Sequence, residues 1–506
     1  MAAIVRRTDN ALDAWLGPAI AFATRRLGAA IAAVLTIHFV VWAGLPLLLY
    51  HNLELDLVED LALGKEWQLG YWKHPPLPWW LADALYRLTG DVRVVYILGP
   101  LAAVACLYFV WRLAREVVSP LAAFAAVLTL EGLYFFNYAA VKFAHDQCQL
   151  PLWAATGWLL YRALARGRTV DWALSGATLA LAFWSKYAAF ALAGAIGIFL
   201  VAEPEARRAW LTPGPYVMGL VFLIVIAPQA WWLVHTGFQP FHYIDARAVA
   251  ATRWYQYIVF PLRWIASQGL FLLPVAVLLG LLLIGTPRQR LPAERQFARR
   301  YVTALAIGPF LVTTLVAIVL GRLPIALWGY PLWSFVPLAA IMWWGTDWDR
   351  RHILRYAAAF LVIFTLYPIA YAADDRFAPL LRDRERARDF SGQVLADTIS
   401  RAWRQKTGTP VPYVGGTEFA ANNVAVYSSD RPHVVVHGEP TLSPWIGRDD
   451  LRRRGIVLVW DTPEMPVELR ANFPELELQT NLDLPRHTLR PRHPVRVGYA
   501  FVLPRP

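Results

Sequence analysis

Apolar runs of about 20 residues, the length that crosses a bilayer as a helix, recur along most of this chain. They predict spans at 27–50, 92–112, 119–138, 148–163, 172–187, 189–202, 213–235, 267–285, 301–320, 327–345 and 356–373. Ahead of the first run, residues 1–26 alternate apolar positions with Arg6, Arg7, Arg25 and Arg26, which predicts an amphipathic helix lying on a membrane surface. No short apolar core with a small-residue cleavage site precedes it, so the first span is expected to be retained. Beyond Asp374 the pattern changes. An amphipathic stretch at 389–406, with Phe390, Val394, Ile399 and Trp403 on one side, predicts a helix. Short β-branched runs at 411–414, 423–427, 433–437, 456–460 and 495–502, separated by Gly, Ser-Asp and Asp-Thr-Pro turns, predict strands. The expected architecture is a mainly α, polytopic membrane bundle over 1–373, followed by a small soluble α/β domain over 374–506.

Composition agrees with the pattern. The 506 residues are 57% hydrophobic and only 17% charged, below the usual charged content of a soluble protein. The formal charge of +12 comes largely from arginine. The arginines cluster in alternate connectors between apolar runs, most densely in 286–300, so the positive-inside rule explains the charge better than nucleic-acid binding does. The same rule places the N-terminus in the cytoplasm. It puts the loops 51–91 and 236–266 and the C-terminal domain on the opposite face. Cys106 and Cys148 both fall in apolar runs and provide neither a disulfide framework nor a thiolate metal site.

The loop 51–91 carries more polar chemistry than a connector needs. Its first sixteen residues hold Glu54, Asp56, Glu59, Asp60 and Glu66, followed by Lys73-His74-Pro75-Pro76 and Trp79-Trp80. On a helix Asp56, Glu59 and Asp60 share one face at i, i+3 and i+4. Like charges in that array need an answer: a divalent metal, Lys73, or a substrate whose proton is taken. Asp56 is the leading candidate for a general base, with Glu59, Asp60 and Asp146 as acidic support or acceptor-binding groups. The competing reading has the acids capping a juxtamembrane helix in water, and Asp146 capping the span it precedes. Lys73, His74, Lys142, Lys186 and Arg322 fall at outer span ends or in outer loops, against the charge bias, and binding a phosphate is the simplest reason for them. Snorkelling to headgroups is the alternative, and it is preferred for Arg247, Arg253 and Arg263 taken singly.

These features together resemble a known family. Asp56, Gly70-Tyr71, Lys73-His74-Pro75-Pro76-Leu77, Asp146 ahead of Leu150-Pro151-Leu152-Trp153, Phe183-Trp184-Ser185-Lys186-Tyr187 and Arg322-Leu323-Pro324 occur in the order found in membrane glycosyltransferases of the GT-C class. The stretch 27–345 resembles the bacterial relatives of dolichyl-phosphate-mannose protein mannosyltransferases (family 39), near the lipid A aminoarabinose transferases. Two positions depart from the pattern: Leu57 follows Asp56 where many members have Asp-Glu, and Lys73-His74 stands where the aminoarabinose transferases have Glu-Lys. The resemblance implies transfer, with inversion, of a sugar from a polyprenyl-phosphate donor to a glycolipid, polysaccharide or protein at the outer face of a bacterial inner membrane. It implies Asp56 as base and Lys73, His74, Lys186 and Arg322 around the donor phosphate. It implies no certain cofactor, and a divalent metal is possible. A transporter or flippase for a polyprenyl-linked substrate is the alternative. It would be expected to show paired half-repeats and mid-span charges, whereas here polar groups gather at one face. A membrane-anchored binding protein acting through 374–506 is a third reading.

Overall fold

The computed structural model describes residues 2–287, 293–381, 384–490 and 492–505. Part of the arginine-rich connector, 288–292, lies outside them. The membrane region contains α1 (Ala2–Arg25), α2 (Leu27–Leu49), α3 (Leu55–Gly64), α4 (Leu77–Thr89), α5 (Leu98–Val117), α6 (Pro120–Leu130), α7 (His145–Arg166), α8 (Thr169–Ser185), α9 (Phe190–Ala202), the short α10 (Pro204–Arg207), α11 (Gly214–His235), α12 (Gln239–Arg247), α13 (Gln256–Leu283), α14 (Ala293–Leu320), α15 (Val336–Trp344) and α16 (Arg350–Leu381). Each predicted span contains a helix, though not always over its full length. Six described helices are long and apolar enough to cross a membrane alone, and the protein is a multi-pass membrane protein.

Two spans differ from the expectation. The run 119–138 is helical only to Leu130, and the run 327–345 only from Val336. An eleven-residue helix is about 16 Å long, roughly half the hydrocarbon thickness. The remainder of the first run, with the loop up to α7, is irregular backbone packed inside protein, where side chains must replace the lost helical hydrogen bonds. Asn137 Nδ2 donates to Glu131 O (2.8 Å), Gln147 Nε2 to Ala139 O (2.9 Å) and the Tyr367 hydroxyl to Gly132 O (3.1 Å). Polar residues inside an apolar run therefore mark where the helix stops. The loop 236–266 is shorter than expected: α12 lies along it, and α13 already begins at Gln256.

The soluble domain comprises α17 (Gly392–Thr407), α18 (Glu418–Tyr427), α19 (Arg448–Arg454) and α20 (Val467–Asn472). With the two-residue pair β1 (Val249–Ala250) and β2 (Arg322–Leu323) counted first, its strands are β3 (Tyr413–Gly416), β4 (His433–Val435), β5 (Ile456–Trp460), β6 (Glu477–Leu478), β7 (Leu482–Leu484) and β8 (Val495–Val502). The sheet order is β4-β3-β5-β8-β6, with β7 beside β8; β4, β3 and β5 are parallel and β8 is antiparallel. The expected strand 423–427 is helical, in α18. Its buried residues Ala420, Ala421, Val424 and Ala425 recur at helical spacing, and that stripe outweighs the β-branched composition. In α17 Leu395 rather than Val394 joins Ile399 and Trp403 in the core, while Val394 faces solvent.

The loop 51–91 is the floor on which this domain stands. Leu53, Leu57, Val58, Leu61, Tyr71 and Trp79 share one apolar core with Ile399, Trp403, Val424 and Val459. Polar contacts fix the register: Asn52 Nδ2 donates to Asn423 Oδ1 (3.1 Å), the Leu53 amide donates to the Tyr427 hydroxyl (2.9 Å), and Lys65 Nζ donates to Arg431 O (2.7 Å).

Candidate active site

Helix α3 follows α2 and carries the acids in its first two turns. Asp56 is exposed at the start of this helix, ahead of the buried run 57–64. Desolvation raises its pKa, and Lys73 and Lys142 only partly offset that effect. Asp60 is buried beside Asp56 and Glu59, and burial, reinforced by those charges, holds its carboxyl well above the usual range.

Glu59 turns toward the soluble domain. Lys73 Nζ lies 2.7 Å from Glu59 Oε1 and 2.7 Å from Glu418 Oε1, at the first residue of α18. Burial works against the Lys73 ammonium, but the two carboxylates hold its pKa above the ordinary lysine value. Burial raises Glu59 well above the usual range, whereas at Glu418 the attraction of Lys73 overcomes burial and lowers the pKa. Lys73, expected at the donor phosphate, is thus saturated by two acids and joins the loop to the domain.

His74 stacks on His145 with ring centroids 4.0 Å apart, and the His145 ring in turn bonds Pro75 O at 3.1 Å. Burial, then the neighbouring His145, Lys73 and Lys186, lowers the His74 pKa, so its imidazole is neutral near pH 7 and offers a hydrogen bond rather than a charge. The two prolines hold this turn, with the Tyr71 amide donating to His74 O at 3.1 Å.

Asp146 at the start of α7 and Lys186 at the end of α8 come together. Lys186 Nζ is 2.7 Å from both Asp146 oxygens and lies over the Trp328 ring at 5.9 Å. Both are within electrostatic reach of the loop: Asp146 acts on Asp56, and Lys186 acts on His74. Arg322 sits apart, on β2, where it pairs with Asp245 and donates to Ala248 O (3.2 Å). Its side-chain contacts are with Asp245 and Ala248 rather than with Asp56 or Lys186. Glu54, two residues before Asp56, lies 3.8 Å from Lys142 and 3.7 Å from Arg388. Among the described residues no three His, Cys, Asp or Glu side chains converge as a metal-holding group.

Sequence reading missed His145, Glu418 and Arg388. His145 was visible only as the neighbour of Asp146. Glu418 and Arg388 lie more than 300 residues from the loop they serve, so no local pattern pointed to them.

The membrane bundle, with these acids and cations at neighbouring helix ends and a small α/β domain packed on the loop that carries them, agrees with the fold expected from the sequence resemblance. Comparison with known proteins bears out the resemblance. Residues 73–232 match the family model of dolichyl-phosphate-mannose-protein mannosyltransferase. Over 172 residues the chain is 31% identical to the lipid A galacturonosyltransferase RgtD of Rhizobium johnstonii, a match covering 32% of this chain and 35% of that protein. The chain therefore spans about a third of the length of this curated relative. Almost the whole fold is shared with ArnT from Cupriavidus metallidurans. Its undecaprenyl-phosphate complex superposes with a TM-score of 0.59 at 14% identity, covering 95% of this chain and 98% of that one. Its apo form gives 0.52 at 15% identity, with the same coverage of both chains.

Proposed function

We propose that the protein transfers a sugar from a polyprenyl-phosphate donor to a hydroxyl acceptor at the outer face of a bacterial inner membrane, with inversion at the sugar carbon. The observation that carries this reading is the Asp146–Lys186 pair, a 2.7 Å contact, with Asp146 near enough to the exposed carboxylate Asp56 to act on its titration. The undecaprenyl phosphate named in the ArnT complex and the glycolipid acceptor named for RgtD support the donor and acceptor classes.

In the proposed step Asp56 takes the proton of the acceptor hydroxyl as its oxygen bonds to the sugar's anomeric carbon. The bond from that carbon to the phosphate oxygen breaks, and its electron pair leaves on the phosphate. Lys186 stabilises that charge, and Asp146 holds Lys186 in place. Attack opposite the leaving group inverts the centre. A phosphate leaves without a strong general acid, which suits a neutral His74. Arg322, beside Asp245 at the end of β2, is placed to meet the phosphate only after exchanging partners. Glu59 and Lys73 act through the position of α3.

The test supplies a polyprenyl-phosphate sugar and envelope glycolipids to the purified protein in lipid nanodiscs and measures released polyprenyl phosphate. Asp56→Asn should lower turnover by roughly 10²–10⁴-fold, the usual contribution of a general base, while donor binding persists. Wild-type turnover in that variant removes Asp56 from the base role. Donor carried across the bilayer without release of polyprenyl phosphate replaces the transferase reading with a flippase.

A further inference from the structure

The bundle holds an apolar cavity toward the end remote from the α/β domain. Helix α2 starts at Leu27 beside α1 and ends at Leu49, just before the loop that carries the domain, so about 35 Å of helix separates the two ends. The cavity encloses about 180 Å³ between α1, α2, α6, the last turn of α13 and the early turns of α16; Leu16, Val34, Phe124, Leu128, Leu282 and Phe360 stand in its wall. The hydroxyls there are already used. Thr24 donates to Ile20 O (2.9 Å) and Tyr356 to Ala125 O (2.8 Å). An apolar cavity of about 150 Å³ stays dry and takes up a hydrocarbon, so this one suits a length of acyl chain rather than water.

Ala19 and Thr24 of the wall are exposed, so the cavity opens along α1. Arg25 and Arg26 follow Thr24 directly at that mouth. Arg25 Nε donates to Ala21 O (2.9 Å) within its own helix, and the Arg26 guanidinium lies 5.6 Å from the Phe22 ring centre. Neither pairs with a carboxylate among the described residues. Arg350, by contrast, is spent on Asp13, a pair that straps α1 to α16. The arginine-bearing connectors on either side, before α6 and at the start of α16, are those that the charge bias assigns to the cytoplasmic face, where anionic lipid gathers.

The wall also contains Trp348, whose indole N–H is buried without a hydrogen-bond partner among the described residues. A glycerolipid brings ester carbonyls, the acceptor this donor lacks; a polyprenyl chain brings none. We propose that the cavity seats an anionic glycerophospholipid, with one acyl chain against α6 and α16 and its phosphate at Arg25 and Arg26. The lipid then fills the gap between α1 and the bundle, which the Asp13–Arg350 pair bridges at one point.

The experiment strips the detergent-purified full chain of lipid and offers dioleoyl phosphatidylglycerol and dioleoyl phosphatidylcholine in equal amounts. Native mass spectrometry reads the lipid retained per protein, and the thermal midpoint is followed against the concentration of each lipid. The wild type should retain phosphatidylglycerol over phosphatidylcholine by roughly tenfold or more, as two arginines near an anionic headgroup imply, and phosphatidylglycerol should raise the midpoint at lower concentration. Arg25→Gln with Arg26→Gln, both at exposed positions, removes that attraction and should bring the ratio to within about twofold of one. Ala357→Phe fills the cavity and should abolish retention of both lipids. Equal retention of the two lipids by the wild type, an unchanged ratio in the arginine variant, or polyprenyl phosphate held in their place overturns the proposal. Wild-type retention in Ala357→Phe does the same. Should Ala357→Phe fail to fold, the arginine variant decides alone. None of these outcomes depends on the transferase reading, since no turnover is measured.

Discussion

Lys73→Met would remove the cation that two buried carboxylates share, leaving the methylene packing nearly intact. Glu59 and Glu418 have side chains only 5% and 29% exposed, each 2.7 Å from the ammonium. Breaking a buried pair by deleting one partner typically costs about 3–5 kcal/mol. The pair joins α3 to α18, so the loss falls on the seam between the membrane bundle and the soluble domain. It corresponds to roughly two to four orders of magnitude in the opening equilibrium there. The pH dependence has a definite sign. In the wild type Glu418 has a lowered pKa, so its stabilising contribution is present above the unfolded value of about 4.3 and is lost as pH falls. In Lys73→Met burial acts on both acids, opposed at Glu418 only by His437 and the hydrogen bond with Glu59. They take up protons as pH falls, and the penalty shrinks from pH 8 to pH 5. Hydrogen exchange of the α18 amides in nanodiscs, corrected for intrinsic rates, reads the opening free energy directly. Unchanged protection at pH 8 would refute the argument, as would an equal loss at both pH values. Adding Glu59→Gln and Glu418→Gln should restore most of the protection.

Two further outcomes follow from the geometry. Because desolvation raises the Asp56 pKa, and the base must be ionised to act, the acid limb of kcat/KM should lie above the ordinary aspartate value of about 3.9; a limb at or below that value contradicts the assigned base. Gly99, near the start of α5, packs against the Ala140 carbonyl, and a Cβ there would collide with backbone. Gly99→Ala should cost about 1–3 kcal/mol and displace the segment leading to Lys142 and Asp146, lowering the thermal midpoint; a wild-type midpoint would show that the segment gives way freely.

The membrane architecture was legible because bilayer thickness imposes a length on every apolar run and charge bias imposes an alternation on the connectors. The strands 456–460 and 495–502 were legible for a similar reason, since their β-branched runs are short and bounded by turns. Residue types at the outer helix ends, with the KHPPL stretch, named the chemistry, and the Asp146–Lys186 pair brings together two groups already singled out. Local pattern could not reveal which cations are already spent. Lys73 and Lys186 read alike along the chain, yet one is shared by Glu59 and Glu418 in the seam with the α/β domain while the other pairs with Asp146 beside Trp328. Nor could hydropathy show that the run 119–138 stops being helical at Leu130, because the polar side chains replacing its hydrogen bonds come from α7 and α16 as well as from the run itself. Hydrophobic pattern is a property of neighbours in sequence, and it determined most of the membrane helices. Charge pairing is a property of neighbours in space, and only the folded chain, placing residues 345 apart within one ion pair, decided which groups remain for a substrate.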